Sequence, residues 1–157
     1  MCVSMWKITG LGLLSLGLFG CGGPDQPTDP GATGTTATVA DAQDLDALLA
    51  SADVERGEIL YFQCRACHSM NEGGPHKVGP NLWGMFGREA GSVPGFAYSD
   101  ALRDSGIVWT PATVDEWLAQ PATMVPGNTM VFVGVSNAQD RANVIAFLQE
   151  QTRAPAE

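Results

Sequence analysis

Apolar residues are spread unevenly along the chain, and their spacing changes character several times. Ile8 to Gly20 (ITGLGLLSLGLFG) is a nearly unbroken apolar run, long enough for a secretory leader but short for a membrane-spanning helix. Residues 22–40 carry almost no large apolar side chains and are rich in Gly, Pro and Thr, a composition that cannot bury enough surface to fold alone. Leu45, Leu48 and Leu49 then recur at helical spacing within Asp41–Ala50. The pattern leaves open whether that turn or two docks on the following domain or prolongs the linker.

A helix is expected from about Ala52 to Cys64, capped by Ser51 or Asp53, with Val54, Gly57 and Tyr61 on one face. A glycine inside a helix costs about 1 kcal/mol against alanine, so Gly57 implies a close approach by another element. From Ser69 to Pro94 periodicity vanishes, and glycines and prolines punctuate a long loop wrapped around something. Ser99 caps a short helix stopped near Gly106. Thr110-Pro111 opens another, with Val114, Trp117 and Leu118 as its stripe and Pro121 as its end. Met124–Asn128 reads as a turn and Met130–Gly134 as a short extended piece. Ser136-Asn137-Ala138-Gln139 has a capping-box pattern and starts a last helix to about Thr152, with Val144, Ile145 and Leu148 on one face and Phe147 beside them. The prediction is therefore an all-α domain, three to four helices joined by long loops, over residues 51–152 with a tail at 153–157.

Composition narrows the function. The formal charge of −9 argues against nucleic acid as a partner, which wants a basic surface. The four cysteines divide into Cys2 and Cys21, in or beside the leader, and Cys64 and Cys67, so no disulfide framework is expected. Cys64-Arg65-Ala66-Cys67-His68 spells C-x-x-C-H, the attachment signature of a c-type haem. Two thiols spaced in this way reach one porphyrin edge and form thioethers, and the next residue offers its imidazole to the iron. A zinc site built from Cys64, Cys67, His68 and His76 is the poorer reading, because adjacent Cys67 and His68 do not both chelate comfortably.

Further motifs follow in a fixed order: Gly73 to Leu82 (GGPHKVGPNL), Gly84 to Arg88 (GMFGR), Pro94 to Ala101 (PGFAYSDA), Gly106 to Trp109 (GIVW) and Pro126 to Gly134 (PGNTMVFVG). With the haem signature they make residues 53–152 resemble class I cytochrome c, the group of mitochondrial cytochrome c and bacterial cytochrome c2. The resemblance implies that fold around one covalent haem c, with His68 and Met130 as axial iron ligands. It implies that the Pro80 carbonyl orients the His68 ring, that Arg88, Tyr98 and Trp109 hydrogen-bond or screen a buried haem propionate, and that Asn128 has a similar role. It gives Phe132 the task of sealing the exposed haem edge, His76 a loop-pinning role, and Gly57 and Phe147 the crossing of the first and last helices. Met70, Met85, Met124 and Trp117 are expected to pack. Leu102 replaces a polar residue of the mitochondrial proteins, and Ala122, Thr123 and Thr129 stand where lysines ring the haem edge. From Ser51 onward 12 acids outnumber 7 bases, so steering of a basic face to an acidic partner is not expected.

The leader region ends in Leu18-Phe19-Gly20-Cys21, which resembles a bacterial lipobox. The expectation is a signal peptide over 1–20, lipidation of Cys21 and a flexible linker over 21–50, the alternative being a plain signal peptide with an incidental cysteine. Together these readings describe a one-electron carrier rather than an enzyme, tethered by lipid to a membrane of the bacterial cell envelope on its periplasmic or outer-facing side. Its implied partners are a quinol-oxidising cytochrome complex and a terminal oxidase or photosynthetic reaction centre. The rivals are a peroxide- or gas-binding protein in which Met130 lets go of the iron, and a fixed subunit of a dehydrogenase complex.

Overall fold

The computed structural model describes residues 39–153, and the side chains from residue 44 onward. The leader, lipobox and most of the linker lie outside the described residues. Six helices follow one another: α1 (Val39–Ala50), α2 (Val54–Arg65), α3 (Asp100–Arg103), α4 (Pro111–Ala119), α5 (Pro121–Met124) and α6 (Ala138–Gln151). Among the described residues there is no sheet, only an isolated antiparallel bridge between Glu89 and Val108. The all-α expectation holds, with more helices than the three or four anticipated.

The caps explain where the helices begin. The Asp53 side chain accepts the Arg56 N–H, Ser99 caps α3, and Thr110 and Thr113 cap α4 reciprocally with Pro111 in its first turn. The last helix is capped by Asn137, whose side chain accepts the Asp140 N–H, one residue later than the Ser136 capping box suggested. Pro121 ends α4 as expected but also opens α5, since a proline suits the first turn of a helix as well as it breaks one.

Helices α2 and α6 cross tightly, and Gly57 is the reason they can. A Cβ there would lie 2.1 Å from the Asn143 carbonyl oxygen and 2.9 Å from Phe147 Cβ. One turn on, Tyr61 stacks at a tilt on Phe147 with ring centroids 5.4 Å apart. Helix α4 closes the other side of α6, where Arg141 forms a two-pronged ion pair with Asp115 (2.7 and 3.3 Å) and donates to the Val135 and Ser136 carbonyls.

The open question over residues 41–50 is resolved by docking. Helix α1 packs on α6, burying Leu45, and Gln139 donates both to the Leu48 carbonyl (3.2 Å) and to Asn143 (3.1 Å). Asn143 in turn accepts the Asp53 N–H at 2.9 Å, so one side chain joins the start of α2 to α6. The flexible linker expected through residue 50 therefore gives way to packed helix before it reaches the domain.

Replacing Gly57 with alanine should force α2 and α6 apart and destabilise the haem-loaded protein by about 3 kcal/mol, the upper end for overpacking, because the obstacle is backbone. Thermal unfolding monitored by circular dichroism checks this; a melting curve like that of the wild type would show that the crossing tolerates a methyl group.

Candidate functional site

The end of α2 sets up the first part of the site. Its last turn runs out at Arg65, and the Cys67 and His68 N–H groups both fold back onto the Cys64 carbonyl at 3.0 and 2.9 Å. This compact turn places Cys64, Cys67 and His68 together on the wall of a cavity of about 230 Å³. Neither cysteine is in a disulfide. Burial, and secondarily Cys67, push the Cys64 thiol up to about 11, so it carries its proton at neutral pH.

His68 is held in one orientation. Its Nδ1 lies 2.8 Å from the Pro80 carbonyl oxygen, and because a carbonyl only accepts, Nδ1 carries the proton. That leaves the Nε2 lone pair free. Burial lowers the His68 pKa, the Pro80 hydrogen bond opposes this and Lys77 adds to it, so the imidazole stays neutral, the form that ligates a metal. Gly79 makes room for the ring: a Cβ there would lie 2.4 Å from His68 Cε1. The loop is fixed from both sides by further bonds. The Gly79 N–H donates to the Cys67 carbonyl at 2.8 Å, and the Lys77 ammonium donates to the Arg65 and His68 carbonyls at 2.7 and 3.2 Å. His76 pins the same loop, its Nε2 against the Pro94 carbonyl (3.0 Å) and its Nδ1 accepting the Asn81 N–H (3.0 Å).

Met130 and Phe132 reach the same cavity from the extended segment before α6. That segment is fastened at both ends. The Asn128 side chain accepts the Met130 N–H at 2.9 Å and donates to the Pro121 and Val125 carbonyls. At the far end the Val135 N–H donates to the Leu118 carbonyl at 2.7 Å. Gly134 has a positive φ of 98° and lies against α4, where a Cβ would meet the Ala119 carbonyl oxygen at 2.1 Å. Asn128 borders the cavity, and its amide hydrogen bonds all go to backbone, so what it visibly does is hold the Met130 loop.

The deep wall is largely the hydrophobic core itself: Tyr61, Met85, Val114, Trp117, Val144 and Leu148 belong to both. Trp109 meets Trp117 edge-on with centroids 5.5 Å apart, and Leu102 is part of the lining. Two polar atoms are stranded in this wall, the Tyr61 hydroxyl and Arg88 Nε, both buried without a hydrogen-bond partner. Arg88 uses Nη1 on the Trp83 carbonyl at 3.0 Å. Burial lowers its pKa and the facing Tyr98 opposes that, while the Tyr98 phenol is raised chiefly by burial. A half-buried guanidinium with an open, buried Nε–H is suited to receive an anion.

The cavity thus unites Cys64, Cys67, His68, Pro80, Arg88, Tyr98, Trp109, Asn128, Met130 and Phe132, drawn from positions spread over most of the folded domain. The donors fit a covalently held haem: two thiols at one edge, a free imidazole nitrogen, a thioether loop, an apolar wall, and an unsatisfied cation for a carboxylate. Among the described residues no group of three or more His, Cys, Asp or Glu is placed to hold a bare metal ion. Tyr61 and Gly79 are site residues that sequence reasoning did not single out. The signal for Gly79 was its place between two haem-loop residues; for Tyr61 it was the helical stripe shared with Gly57.

Comparison with known proteins agrees with this geometry. Residues 54–152 match the cytochrome c family. Cytochrome c2 of Rhodomicrobium vannielii is 48% identical over 102 residues, covering 65% of this chain and 82% of that protein. Cytochrome c of Chlamydomonas reinhardtii is 43% identical over 103 residues, 65% of this chain and 92% of that one. Cytochrome c2 of Blastochloris viridis is 43% identical over 101 residues, 64% and 80% respectively. With this match over nearly all of the described domain, the chain belongs to the class I cytochrome c family, one-electron carriers rather than enzymes, each built around a single covalent haem c.

Proposed function

We propose that this chain is a membrane-tethered electron carrier of a respiratory or photosynthetic chain outside the cytoplasm, working through a haem c ligated by His68 and Met130. The observation that carries the reading is the single cavity in which a tautomer-locked His68 and a doubly fastened Met130 loop meet beside Cys64 and Cys67. When bound, the haem supplies a one-electron iron couple, and an imidazole–thioether ligand pair raises its potential relative to harder ligand sets. The Pro80 carbonyl keeps the proton on Nδ1 and Nε2 available. Asn128 at one end of the segment and Gly134 and Val135 at the other hold Met130 in place, which favours a carrier over a peroxide- or gas-binding protein that needs an open iron position. Arg88, Tyr98 and Trp109 screen a propionate, and Phe132 covers the exposed edge.

The tether belongs to the same reading. Cys21 after Leu18-Phe19-Gly20 is the acylated first residue of the mature protein, residues 1–20 are its signal peptide, and the redox domain spans 51–152 with a tail at 153–157. Acyl chains hold the protein at a membrane of the cell envelope, on its periplasmic or outer-facing side. A flexible tether substitutes effective concentration for the charge steering that an acidic chain lacks. The partners are a quinol-oxidising cytochrome complex as donor and a terminal oxidase or reaction centre as acceptor. Among the described residues no helix is long and apolar enough to cross a membrane.

Met130→Ala should abolish the charge-transfer absorption of a thioether–iron bond in the oxidised protein and lower the midpoint potential by on the order of 0.1 V. Ready binding of carbon monoxide by the reduced wild type near neutral pH would sink the six-coordinate reading. Gly79→Ala should push the imidazole off its Pro80 hydrogen bond and destabilise the loaded protein by about 1–3 kcal/mol, read by calorimetry and by a weakened proximal ligand in resonance Raman spectra. Mass spectrometry of protein extracted from membranes should show one haem and an acylated N-terminus at Cys21. A mature N-terminus elsewhere, with no acyl mass, would remove the tether.

A further inference from the structure

Lys77 sits in the loop after the haem signature, and its ammonium reaches back over that signature. Nζ donates to the Arg65 carbonyl at 2.7 Å and to the His68 carbonyl at 3.2 Å. Arg65 is the last residue of α2, so its carbonyl is one of those that a helix end leaves without an N–H from the next turn. A cation placed there also meets the negative end of the helix dipole. The backbone of the same loop is tied down beside it. The Lys77 N–H donates to the Gly79 carbonyl at 2.9 Å, and the Gly79 N–H to the Cys67 carbonyl at 2.8 Å. One side chain therefore joins the end of α2, the residue that offers its imidazole and the loop that carries Pro80.

The signature has a cation of its own, and the two differ in what balances them. Arg65 lies 3.8 Å from the Glu58 carboxylate, whereas among the described residues Lys77 forms no ion pair with an acid. Carbonyl dipoles hold the ammonium in place without cancelling its net charge. That charge is felt at His68, where it adds to the lowering that burial causes.

We propose that Lys77 is a positioning residue of the redox site: it clamps the haem signature onto the Pro80 loop and keeps an uncompensated positive charge beside His68 that raises the reduction potential. The inference rests on the carrier reading above and deepens it with a residue that sets the potential. Reduction adds one electron, taken from the donor protein, and moves no proton and breaks no bond at Lys77. The ammonium is charged in both states, so it disfavours the oxidised site, which carries one more positive charge. Lys77 is exposed, and water and salt reduce the effect without removing it.

The test uses the haem-loaded full chain in potentiometric titrations at neutral pH, with three variants. Lys77→Gln keeps a donor and loses the charge, Lys77→Arg keeps the charge, and Lys77→Met loses both. At about 10 mM salt the screening length is roughly 30 Å. There Lys77→Gln should shift the electron-exchange equilibrium with a fixed reference couple about twofold toward the oxidised protein, which is about 18 mV at about 59 mV per tenfold. The shift should shrink at about 1 M salt, where the screening length falls to about 3 Å. Lys77→Arg should keep the wild-type potential. Lys77→Met should show the same shift as Lys77→Gln and melt about 4 °C below the wild type. A wild-type potential in Lys77→Gln at low salt, a lowered potential in Lys77→Arg, or wild-type melting in Lys77→Met would each overturn the proposal. The wild type itself separates this inference from the reading it rests on. If it shows no reversible one-electron couple, the carrier reading falls and takes this one with it; if the couple is present and indifferent to Lys77, only the clamp is lost.

Discussion

Everything in this structure hangs on one hydrogen bond, from His68 to the Pro80 carbonyl. It selects the tautomer, fixes the plane of the ring and leaves Nε2 as the only nitrogen able to bind iron. The bond is possible because Gly79 has no side chain to strike the ring and because the loop is drawn back onto Cys67 by its own backbone. His76, Lys77 and Asn81 then fix that loop to its surroundings: His76 reaches Pro94, Lys77 reaches the end of α2, and the Asn81 amide donates to Ser69 and to the Asn71 carbonyl. A long segment without regular structure is thereby made rigid by side chains that satisfy backbone groups, which is how an irregular loop can hold a ligand in place.

The core has an unusual construction that follows from the same requirement. Tyr61, Trp117, Leu118 and Val144 are buried, yet they also face the cavity, so the centre of the domain is a lining rather than a filled interior. A domain of this size has little apolar surface of its own to bury. A group that packs against the folded state and not the unfolded chain adds that packing free energy to stability. The tight α2–α6 crossing at Gly57 and the Arg141–Asp115 pair supply the part of the scaffold that owes nothing to the haem.

The helices were legible in the sequence because each has a local signature. Asp53, Ser99 and Thr110-Pro111 announce their caps, and the odd glycine at 57 announces a crossing before any partner is known. The haem attachment was legible for the same reason, being confined to five consecutive residues. What the sequence did not yield depends on contacts between distant segments. Whether residues 41–50 dock turns on Gln139, some 90 positions away. The task of Asn128 turns on where its amide finds carbonyls, and the stranded hydroxyl of Tyr61 on the absence of any acceptor within reach. Helix α5 escaped because a proline that stops one helix reads the same as a proline that begins the next.

Charge is partitioned in this protein, and the partition has a consistent logic. The chain is acidic overall, whereas the one strong cation in the cavity wall, Arg88, is half-buried with its Nε atom buried and unpartnered. A buried donor left without a partner is costly, and under the proposed function a carboxylate of the bound haem completes it. Exposed cations around the mouth would serve a different end, attracting an acidic partner from a distance. Here Arg65, inside the haem signature, lies 3.8 Å from Glu58, and the Lys77 ammonium donates to the Arg65 and His68 carbonyls. Under the proposed tether, the domain can lose long-range attraction without losing encounters, because effective concentration does not depend on ionic strength.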